Sequence, residues 1–384
     1  MTRTSGSIGG TVTAAALARI GTPVPTVETA SPTAVLGWAA ARGRLRSGMA
    51  DSARIAFVGD SKTMGAGAGT GGNYTVGAFA RSRPARVAAL LAAGGLPTRT
   101  DGFFGCAGLG SIADLLAYDP RRSGFSSWSG GANSLGGATM STGNSNPGQF
   151  QPGGAVDRCS VFIRNGSDRP PFTVTKGTES VTLTPSGPNG GFARLEVSFV
   201  TRDAAPITIA RGGNTGNLQL AGLIAWDSTR PGVEIANFGV FGVVAGFQAD
   251  MTNAYSPAAA LATYAPHLTI VNLGTNDSAQ GLAMATWLAN LRTIVQQARQ
   301  SGSVILTWPA IAGVSPAGGS DVNRSQWRAA LRAFAFDNGC LFIDDEALLG
   351  GRTAAQVSGA FADSLHETAW AYDVQAAAIA RAIL

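Results

Sequence analysis

The order of apolar and polar positions divides the chain into regions with different periods. Near both ends, short apolar runs alternate with segments of helical period, which favours a parallel sheet flanked by helices. Between residues 156 and 226 the period changes to two, without helical segments between the runs. We therefore predict that this middle region is an insertion into an α/β domain.

Buried strands and amphipathic helices are predicted for the α/β part. Residues 54–61, RIAFVGDS, are typical of a buried strand that ends in a turn, and a helix is predicted over residues 83–93, before Gly94 and Gly95. After Pro231, strands are predicted at 233–237, 268–273, 304–308 and 341–343, and helices at 282–301, 324–338 and 368–384.

The insertion is predicted to be an antiparallel β-sandwich. Alternation occurs in CSVFIRN, PFTVT, ESVTLTP, RLEVSFV, PITIA and LQLAGLIAW, with turn residues between them. Residues 123–154 are rich in Gly, Ser and Asn, which predicts a linker or long loops. Residues 1–50 are small and polar with one helical patch, which indicates an extension or adaptor arm. The predicted division is an N-terminal extension (1–50), an α/β domain in two parts (51–130 and 232–384) and an inserted β-rich domain (131–231).

Composition indicates a globular chain of about two domains. The chain has 384 residues, 45% of them hydrophobic, and 52 glycines. Its 28 Lys and Arg exceed its 23 Asp and Glu without any run of like charges, so we expect no nucleic-acid partner. No apolar run is long enough for a transmembrane helix, and the N-terminus lacks the apolar core of a signal peptide.

Cysteines and histidines are few. Cys106, Cys159 and Cys340 show no C-x-x-C spacing, and their odd number excludes a fully paired disulfide framework, so we expect buried apolar side chains. The two histidines, His267 and His366, lie in no metal-binding motif, and we expect neither a metal nor a cofactor.

A serine directly after the first predicted strand is the first candidate for chemistry. Ser61, in the segment GDSKT, would lie at the carboxyl end of a parallel strand, where open α/β sheets place ligand sites. One alternative is a plain turn. Another is a nucleotide loop, because Gly67, Gly69 and Gly72 match G-x-G-x-x-G. These glycines come well after the strand, and no acidic residue follows about twenty positions on.

A carboxylate and an imidazole lie three residues apart before the last predicted helix. On one loop, Asp363 and His366 can face the same site, where His366 would accept the proton of Ser61 and Asp363 would orient the imidazole. The alternative is a helix-capping Asp with an incidental His.

Two further turns follow apolar strands. In NLGTND, Asn276 can donate its amide to an oxyanion, although an ordinary turn with Asp277 as a helix cap has the same pattern. In NFGVFG, a glycine such as Gly242 lets the backbone N–H approach a ligand. The segment GCAGLG at 105–110 is a rival of similar composition.

Taken in order, these four segments resemble the sequence blocks of the SGNH hydrolases, the GDSL esterases and lipases. GDS matches the first block, NFGVFG the second, G-x-N-D the third and D-x-x-H the fifth. The resemblance implies a flavodoxin-like three-layer α/β/α fold. It assigns Ser61 as nucleophile, His366 as base and Asp363 as its partner, with an oxyanion hole formed by Ser61, Gly242 and Asn276.

The resemblance covers about residues 51–120 and 232–384 and contains two departures. Lys62 stands where Leu is frequent, and Glu367 follows the histidine where Pro is frequent. We expect neither position to carry the chemistry, and we expect Lys62 to alter substrate preference. The segment WAY after the histidine is similar to the family's usual step into the last helix.

The position of the insertion is similar to that in bacterial carbohydrate O-acetylesterases, including peptidoglycan O-acetylesterases, which carry a carbohydrate-binding-like module there. This resemblance implies a jelly-roll-like sandwich and a serine esterase for an O-acetylated glycan or small ester, acting outside the cytoplasm or at the cell envelope. Trp128, Phe172 and Trp226 are candidates for stacking on sugar rings, although such aromatics are more often core.

Two alternatives remain open from the sequence. One is a general esterase or lipase for longer acyl or aryl esters, which the absence of a hydrophobic lid helix disfavours. The other is a non-enzymatic glycan-binding, phage-tail or envelope adaptor, which the complete set of four segments disfavours. None of these features fixes the oligomeric state.

Overall fold

The computed structural model of the chain describes residues 27–29, 31, 33–70, 75–105, 111–213, 216–310 and 321–384. The strands in these ranges are β1 (Val27–Thr29), β2 (Ser52–Gly59), β3 (Thr98–Arg99), β4 (Gly102–Phe104), β5 (Arg122–Ser123), β6 (Ser129–Ser134), β7 (Gly137–Thr142), β8 (Gly148–Phe150), β9 (Val156–Asn165), β10 (Phe172–Lys176), β11 (Glu179–Leu183), β12 (Gly191–Asp203), β13 (Ile207–Arg211), β14 (Leu218–Trp226), β15 (Gly232–Gly239), β16 (Leu268–Asn272), β17 (Ser303–Trp308) and β18 (Leu341–Asp344). The helices are α1 (Leu36–Arg46), α2 (Ser61–Met64), α3 (Arg83–Ala93), α4 (Ile112–Tyr118), α5 (Ala245–Gln248), α6 (Pro257–Tyr264), α7 (Thr275–Ala279), α8 (Met284–Arg299), α9 (Asp321–Asp337), α10 (Asp345–Leu348), α11 (Arg352–Val357) and α12 (Ala369–Ile383), with a 3₁₀ turn at Ala78–Arg81.

A seven-stranded sheet forms the middle layer of the α/β part. Its order is β1-β18-β17-β16-β2-β15-β3, and every neighbouring pair is parallel except β1 with β18. The four strands predicted after Pro231 and the strand predicted from residue 54 all lie in this sheet. The parallel sheet and the alternating elements that led to its prediction are therefore confirmed.

Both faces of this sheet are covered by helices, which explains why its strands are almost continuously apolar. In β2, Ile55 and Phe57 pack in the cluster that includes side chains of α1, α3 and α12. Ala56 and Val58 face the opposite way, into the cluster that includes side chains of α8 and α9. The α/β part is therefore a three-layer α/β/α arrangement, as predicted.

The middle region forms two antiparallel sheets that pack face to face. One has the order β11-β10-β13-β8-β5, and the other has the order β12-β9-β14-β7-β6, with β4 paired to β14. Inward-facing side chains of both sheets, such as Val161, Ile163, Phe172 and Ile209, share one buried cluster. All six segments with a period of two are strands, β9 to β14, and the predicted β-sandwich is confirmed.

An aromatic cluster joins the sandwich to the α/β part. Phe104 and Phe162 from the six-stranded sheet pack against Phe238 of β15 and Tyr264 of α6. The ring centroids of Phe104 and Phe238 are 4.8 Å apart, and those of Phe238 and Tyr264 are 5.1 Å apart, both edge to face. The outer face of this sheet is thus part of the core of the α/β part rather than a solvated surface.

Two expectations about irregular segments are wrong in part. Residues 129–150 lie in the region predicted to be a linker or loops, yet they contain β6, β7 and β8. Backbone hydrogen bonds to neighbouring strands form these elements, and small polar side chains give no apolar period that reveals them. The predicted extension also differs, because β1 pairs with β18 and the Trp38 indole of α1 is buried and donates to the Ile383 carbonyl at 2.7 Å.

The boundary expected between the first α/β part and the sandwich also differs in the structure. Strand β4, which begins at Gly102, pairs with β14, and β5, which begins at Arg122, pairs with β8. These strands lie before residue 131, so the two sheets of the sandwich draw on residues that the sequence assigned to the α/β part.

The described residues contain two free cysteines and no helix that could span a membrane. Cys159 and Cys340 are free and buried, as predicted, and burial raises the pKa of the Cys340 thiol to about 11. Cys106 and the segment 106–110 lie outside the described residues. Among the helices described, none has the length and hydropathy needed to cross a bilayer. Groups of three or more potential metal ligands are also absent from the part of the chain that the structure describes.

Replacing Phe104 with Ala tests the aromatic junction. We expect Phe104→Ala to lower the free energy of unfolding by about 3–5 kcal/mol, because it removes a large buried ring from between two parts of the molecule. Urea unfolding measures the loss, and Val200→Ala is the control, since Val200 is 95% exposed and should change stability by less than about 0.5 kcal/mol. Equal effects of the two substitutions would contradict this account of the junction.

Candidate active site

Three of the predicted segments begin at the same level of the sheet. The register pairs Gly59, the last residue of β2, with Gly239 of β15 and with Asn272 of β16. Because parallel strands end at one edge, the segments that follow these residues emerge side by side, where open α/β sheets hold their ligands.

Ser61 begins the short helix α2 directly after β2. The Oδ1 atom of Asp60 accepts a hydrogen bond from the Lys62 N–H at 2.9 Å, which caps the helix. Ser61 is 2% exposed, so its hydroxyl lies in a protein-lined recess. Burial raises the pKa of Asp60 to about 7, against the opposing effect of Lys62.

Buried side chains from other elements hold the turn that carries Ser61. Each donates a hydrogen bond to a backbone carbonyl of residues 59–66, from Gln248 to Gly59 at 2.8 Å, from Tyr118 to Met64 at 2.8 Å and from Tyr372 to Ala66 at 2.7 Å. The position of the Ser61 hydroxyl is therefore fixed by tertiary contacts, because a helix of one turn is not stable by itself.

The structure brings Ser61, His366 and Asp363 into one hydrogen-bonded chain. The Ser61 Oγ lies 2.9 Å from His366 Nε2, and His366 Nδ1 lies 2.8 Å from Asp363 Oδ2. The other carboxylate oxygen, Oδ1, accepts the backbone N–H groups of Leu365 at 2.7 Å and His366 at 2.6 Å. A hydroxyl, an imidazole and a carboxylate in this order form the arrangement of an activated nucleophile.

The carboxylate of Asp363 is held in its ionised form. Partial burial alone would raise its pKa, but the hydrogen bonds from the His366 ring and from two backbone N–H groups outweigh burial and lower the pKa. An ionised Asp363 favours the His366 tautomer with its proton on Nδ1, in which Nε2 is the hydrogen-bond acceptor facing the Ser61 hydroxyl.

The segment after β15 lies against the imidazole. The Phe241 ring stacks on the His366 ring with 5.9 Å between centroids and 25° between planes. Gly242 follows with φ of +74°, in the left-handed region that favours glycine, while a Cβ there would meet no atom within 4 Å. Backbone conformation, not crowding, therefore selects glycine at this position.

The segment after β16 is tied to the same loop. Asn276 donates an amide N–H to the Val243 carbonyl at 2.8 Å, and Asp277 accepts the Ala245 N–H at 2.9 Å. Asp277 thus accepts from the first residue of α5, whereas the alternative interpretation of the sequence had it cap the helix that follows it. Burial raises the pKa of Asp277 to about 6.

The glycine-rich segment after α2 has a packing role. A Cβ on Gly67, where φ is +92°, would lie 2.2 Å from the Glu367 carbonyl oxygen and 2.9 Å from the His366 Cβ. Glycine is thus required for the chain to pass beside the histidine, which accounts for this part of the pattern without a nucleotide. Gly72, the last glycine of that pattern, lies outside the described residues.

The second histidine has a structural role at the opposite edge of the sheet. His267 precedes β16, and its Nδ1 accepts the Arg54 N–H at 2.9 Å. Burial, with the nearby charges of Arg54 and Arg44, lowers the pKa of His267 to about 4, so it stays neutral and keeps this acceptor.

Two features near the site were misread or missed from the sequence. The Lys62 ammonium is buried and forms an ion pair with Glu367 at 2.9 Å, which does not fit a direct role in substrate preference. Among the proposed sugar-stacking residues, Trp128 and Phe172 are buried in the sandwich core. Trp226 lies under Arg99, in a cavity of about 380 Å³ beside Gly232, the residue that begins β15, and so away from the edge that carries Ser61.

The comparison with protein families finds a match in the second half of the chain. Residues 204–374 match the GDSL-like lipase/acylhydrolase family, and the match includes Gly242, Asn276, Asp363 and His366. This matched segment, less than half of the chain, is similar to GDSL-like acylhydrolases. Its reaction class is therefore carboxylic ester hydrolysis. Ser61 lies before the matched range, because the sandwich separates it from the other segments.

One solved structure shows the same fold. A peptidoglycan O-acetylesterase has a TM-score of 0.69 at 16% identity, over 93% of this chain and 97% of that chain. Less similar overall is a family two carbohydrate esterase from Clostridium thermocellum in complex with cellohexaose, with a TM-score of 0.29 and 9% identity, over 64% of this chain and 93% of that one. The first comparison confirms the SGNH fold. No curated protein matches the chain significantly.

The buried Asp60 beside the serine gives a prediction for the pH dependence of stability. Its pKa, raised by burial to about 7, exceeds that of the unfolded chain, so the folded state binds the proton more tightly. This contribution to stability is present below about pH 4 and is lost as pH rises through about 7.

We therefore expect Asp60→Asn, which keeps a capping side chain, to lose less stability than the wild type between about pH 5 and pH 8. Urea unfolding at several pH values measures the two slopes. Asp277 remains in both proteins, so the variant keeps some pH dependence. Identical slopes would show that Asp60 is ionised throughout this range.

Proposed function

We propose that this GDSL-like hydrolase removes an acetyl group from an O-acetylated carbohydrate or cell-wall glycan, with Ser61 as nucleophile, His366 as base and Asp363 as its partner. The observation that carries the proposal is the chain of contacts from Ser61 Oγ to His366 Nε2 at 2.9 Å and from His366 Nδ1 to Asp363 at 2.8 Å. These distances allow proton transfer from the serine without rearrangement.

In the first step Ser61 is acetylated. The Ser61 Oγ attacks the ester carbonyl carbon while its proton passes to His366 Nε2, and the ionised Asp363 stabilises the imidazolium. When the tetrahedral intermediate collapses, the bond to the sugar oxygen breaks. The imidazolium then returns the proton to that oxygen, so the glycan leaves with a free hydroxyl.

In the second step water releases the acetate. His366 Nε2 accepts a proton from a water molecule, whose oxygen attacks the acetyl carbon on Ser61. Collapse of this second intermediate breaks the bond to Oγ, which recovers its proton from the imidazolium. Protein side chains alone carry every proton in both steps, so we propose a reaction without a metal or cofactor.

The oxyanion of both intermediates would be held by three donors. The Ser61 N–H lies in the first turn of α2, where the helix itself offers no acceptor. The Gly242 N–H lies on the loop stacked against His366 through Phe241. Asn276 uses one amide N–H for the Val243 carbonyl, and an amide has a second N–H to donate.

The proposed substrate class rests on two observations. The likeness to a peptidoglycan O-acetylesterase extends over 93% of the chain and so includes the sandwich. The large apolar side chains that are exposed among the described residues, for example Met49, Val200 and Val357, lie far apart in the sequence, whereas a long acyl chain requires a continuous apolar surface. Both observations support a short acyl group on a polar carrier.

Acetate release from several esters tests this proposal. Wild type, Ser61→Ala and the control Ser364→Ala, which changes an exposed serine of the histidine loop, are compared on acetylated peptidoglycan, acetylated xylan and aryl esters of increasing length. We expect release from acetylated glycans by wild type and the control, and loss of more than about a thousandfold in Ser61→Ala.

Other outcomes would change the assignment. Turnover retained by Ser61→Ala would contradict Ser61 as nucleophile. A preference of the wild type for long aryl esters would indicate a general esterase or lipase. No release from any ester by a folded wild type would favour a glycan-binding or envelope adaptor.

A separate prediction concerns the oxyanion donors. We expect Asn276→Ala to lower kcat on an aryl acetate by about a hundredfold to a thousandfold, with little change in KM, because the amide would bind only the charge that develops in the transition state. Steady-state kinetics measures both constants. A loss confined to KM would show that Asn276 binds the substrate rather than the oxyanion.

A further inference from the structure

A buried ion pair lies directly beside Ser61, His366 and Asp363, which together form the proposed triad. The side chains of Lys62 and Glu367 are each 1% exposed, and Lys62 Nζ lies 2.9 Å from Glu367 Oε2. The proposed reaction uses neither residue. Moving two charges out of water costs free energy that their mutual attraction often fails to return, so stability alone is a weak reason for such a pair.

The contacts of the ammonium point to its role. Lys62 Nζ donates to the Leu365 carbonyl at 2.5 Å as well as to the carboxylate of Glu367. Leu365 and Glu367 are the residues immediately before and after His366. The ammonium therefore binds the backbone before His366, at Leu365, and the side chain after it, at Glu367.

The third donor and the carboxylate extend these contacts to the core. The Lys62 ammonium also donates to the Ala310 carbonyl at 2.8 Å, just beyond the end of β17. Glu367 accepts a hydrogen bond from Gln375 of α12 at 3.3 Å. All three N–H donors of the ammonium thus have acceptors, and the pair is fixed to the sheet and to the last helix.

The other end of the Lys62 side chain is attached to the nucleophile. Lys62 follows Ser61 in the chain, and its backbone N–H is held by Asp60 Oδ1 at 2.9 Å. A single side chain therefore connects the turn of the nucleophile with the loop of the base, two segments separated by 305 positions in sequence.

We propose that Lys62, balanced by Glu367, is a positioning residue that keeps His366 Nε2 within hydrogen-bonding distance of Ser61 Oγ. The proposal rests on the triad proposed above. The carboxylate neutralises the ammonium, so the base is held without an unbalanced charge beside the imidazolium. Proton transfer depends steeply on this distance, and a displacement of about 1 Å can cost about a hundredfold in rate.

Two substitutions and one matched control test the role. Lys62→Met keeps the length of the side chain but removes all three donors, and Glu367→Gln keeps an acceptor for Lys62 but removes the charge. Lys176→Met is the control, because the Lys176 side chain is also 1% exposed and its ammonium likewise donates to one carbonyl, that of Thr201 at 2.8 Å, and one carboxylate, that of Asp203. This control lies in the sandwich, away from the triad.

The measurement is kcat and KM on an aryl acetate, with kcat expressed per site titrated by a serine-directed phosphonate. Titration counts folded, reactive sites, so a loss of folded protein does not enter kcat. We expect Lys62→Met to lower kcat per titrated site by about tenfold to a hundredfold with KM changed less than about threefold. Glu367→Gln should lower kcat per titrated site by about threefold to tenfold, because its amide oxygen still accepts from Lys62 but no longer balances the buried ammonium. Lys176→Met should be unchanged.

Each outcome bears on one of the two proposals. Lys62→Met with kcat per titrated site within about threefold of wild type would overturn the positioning role while leaving the triad intact. If Lys62→Met does not fold, Glu367→Gln gives the answer, and an unchanged kcat per titrated site overturns the role. A wild type that the phosphonate does not label at Ser61 would instead contradict the triad itself.

Discussion

The parallel, in-register pairing of β2 with β15 and β16 is the constraint on which the site depends. It places the ends of three strands, Gly59, Gly239 and Asn272, at one level, so the three following segments must emerge together. Each segment then contributes a different group within a few residues, a hydroxyl, a backbone N–H or a side-chain amide. Because both faces of these strands are closely packed against helices, a shift of register would move buried side chains out of the spaces they fill and is strongly disfavoured.

The fourth segment lacks this support, because the histidine lies on a connection between α11 and α12 rather than at the end of a strand. Its position depends on contacts with the segments that follow β2 and β15, namely stacking by Phe241, the close passage of Gly67 and the ammonium of Lys62. Asp363 adds order from within the loop by accepting two of its backbone N–H groups. His366, the proposed base, is thus the group whose placement is most dependent on tertiary contacts.

The sequence predicts those strands and helices whose pattern of apolar residues matches their burial in the folded chain. Burial on both faces makes β16 a continuous apolar run, and its predicted bounds, 268–273, differ from the observed strand by one residue. The strands within 129–150 could not be predicted, because Gly, Ser and Asn side chains give no period even when the backbone pairs. The contact between Lys62 and the histidine loop was also missed, although a signal existed. The two departures from the family pattern, Lys62 and Glu367, carry opposite charges and adjoin the proposed nucleophile and the proposed base.

The central claim is that Ser61 is the nucleophile of this esterase, and mapping a covalent adduct tests it most directly. The enzyme is inactivated with a serine-directed phosphonate, digested, and analysed by tandem mass spectrometry. The account predicts that the adduct lies on Ser61 in the wild type, and that Ser61→Ala is neither labelled nor active. An adduct on another residue, or equal labelling of Ser61→Ala, would contradict the account.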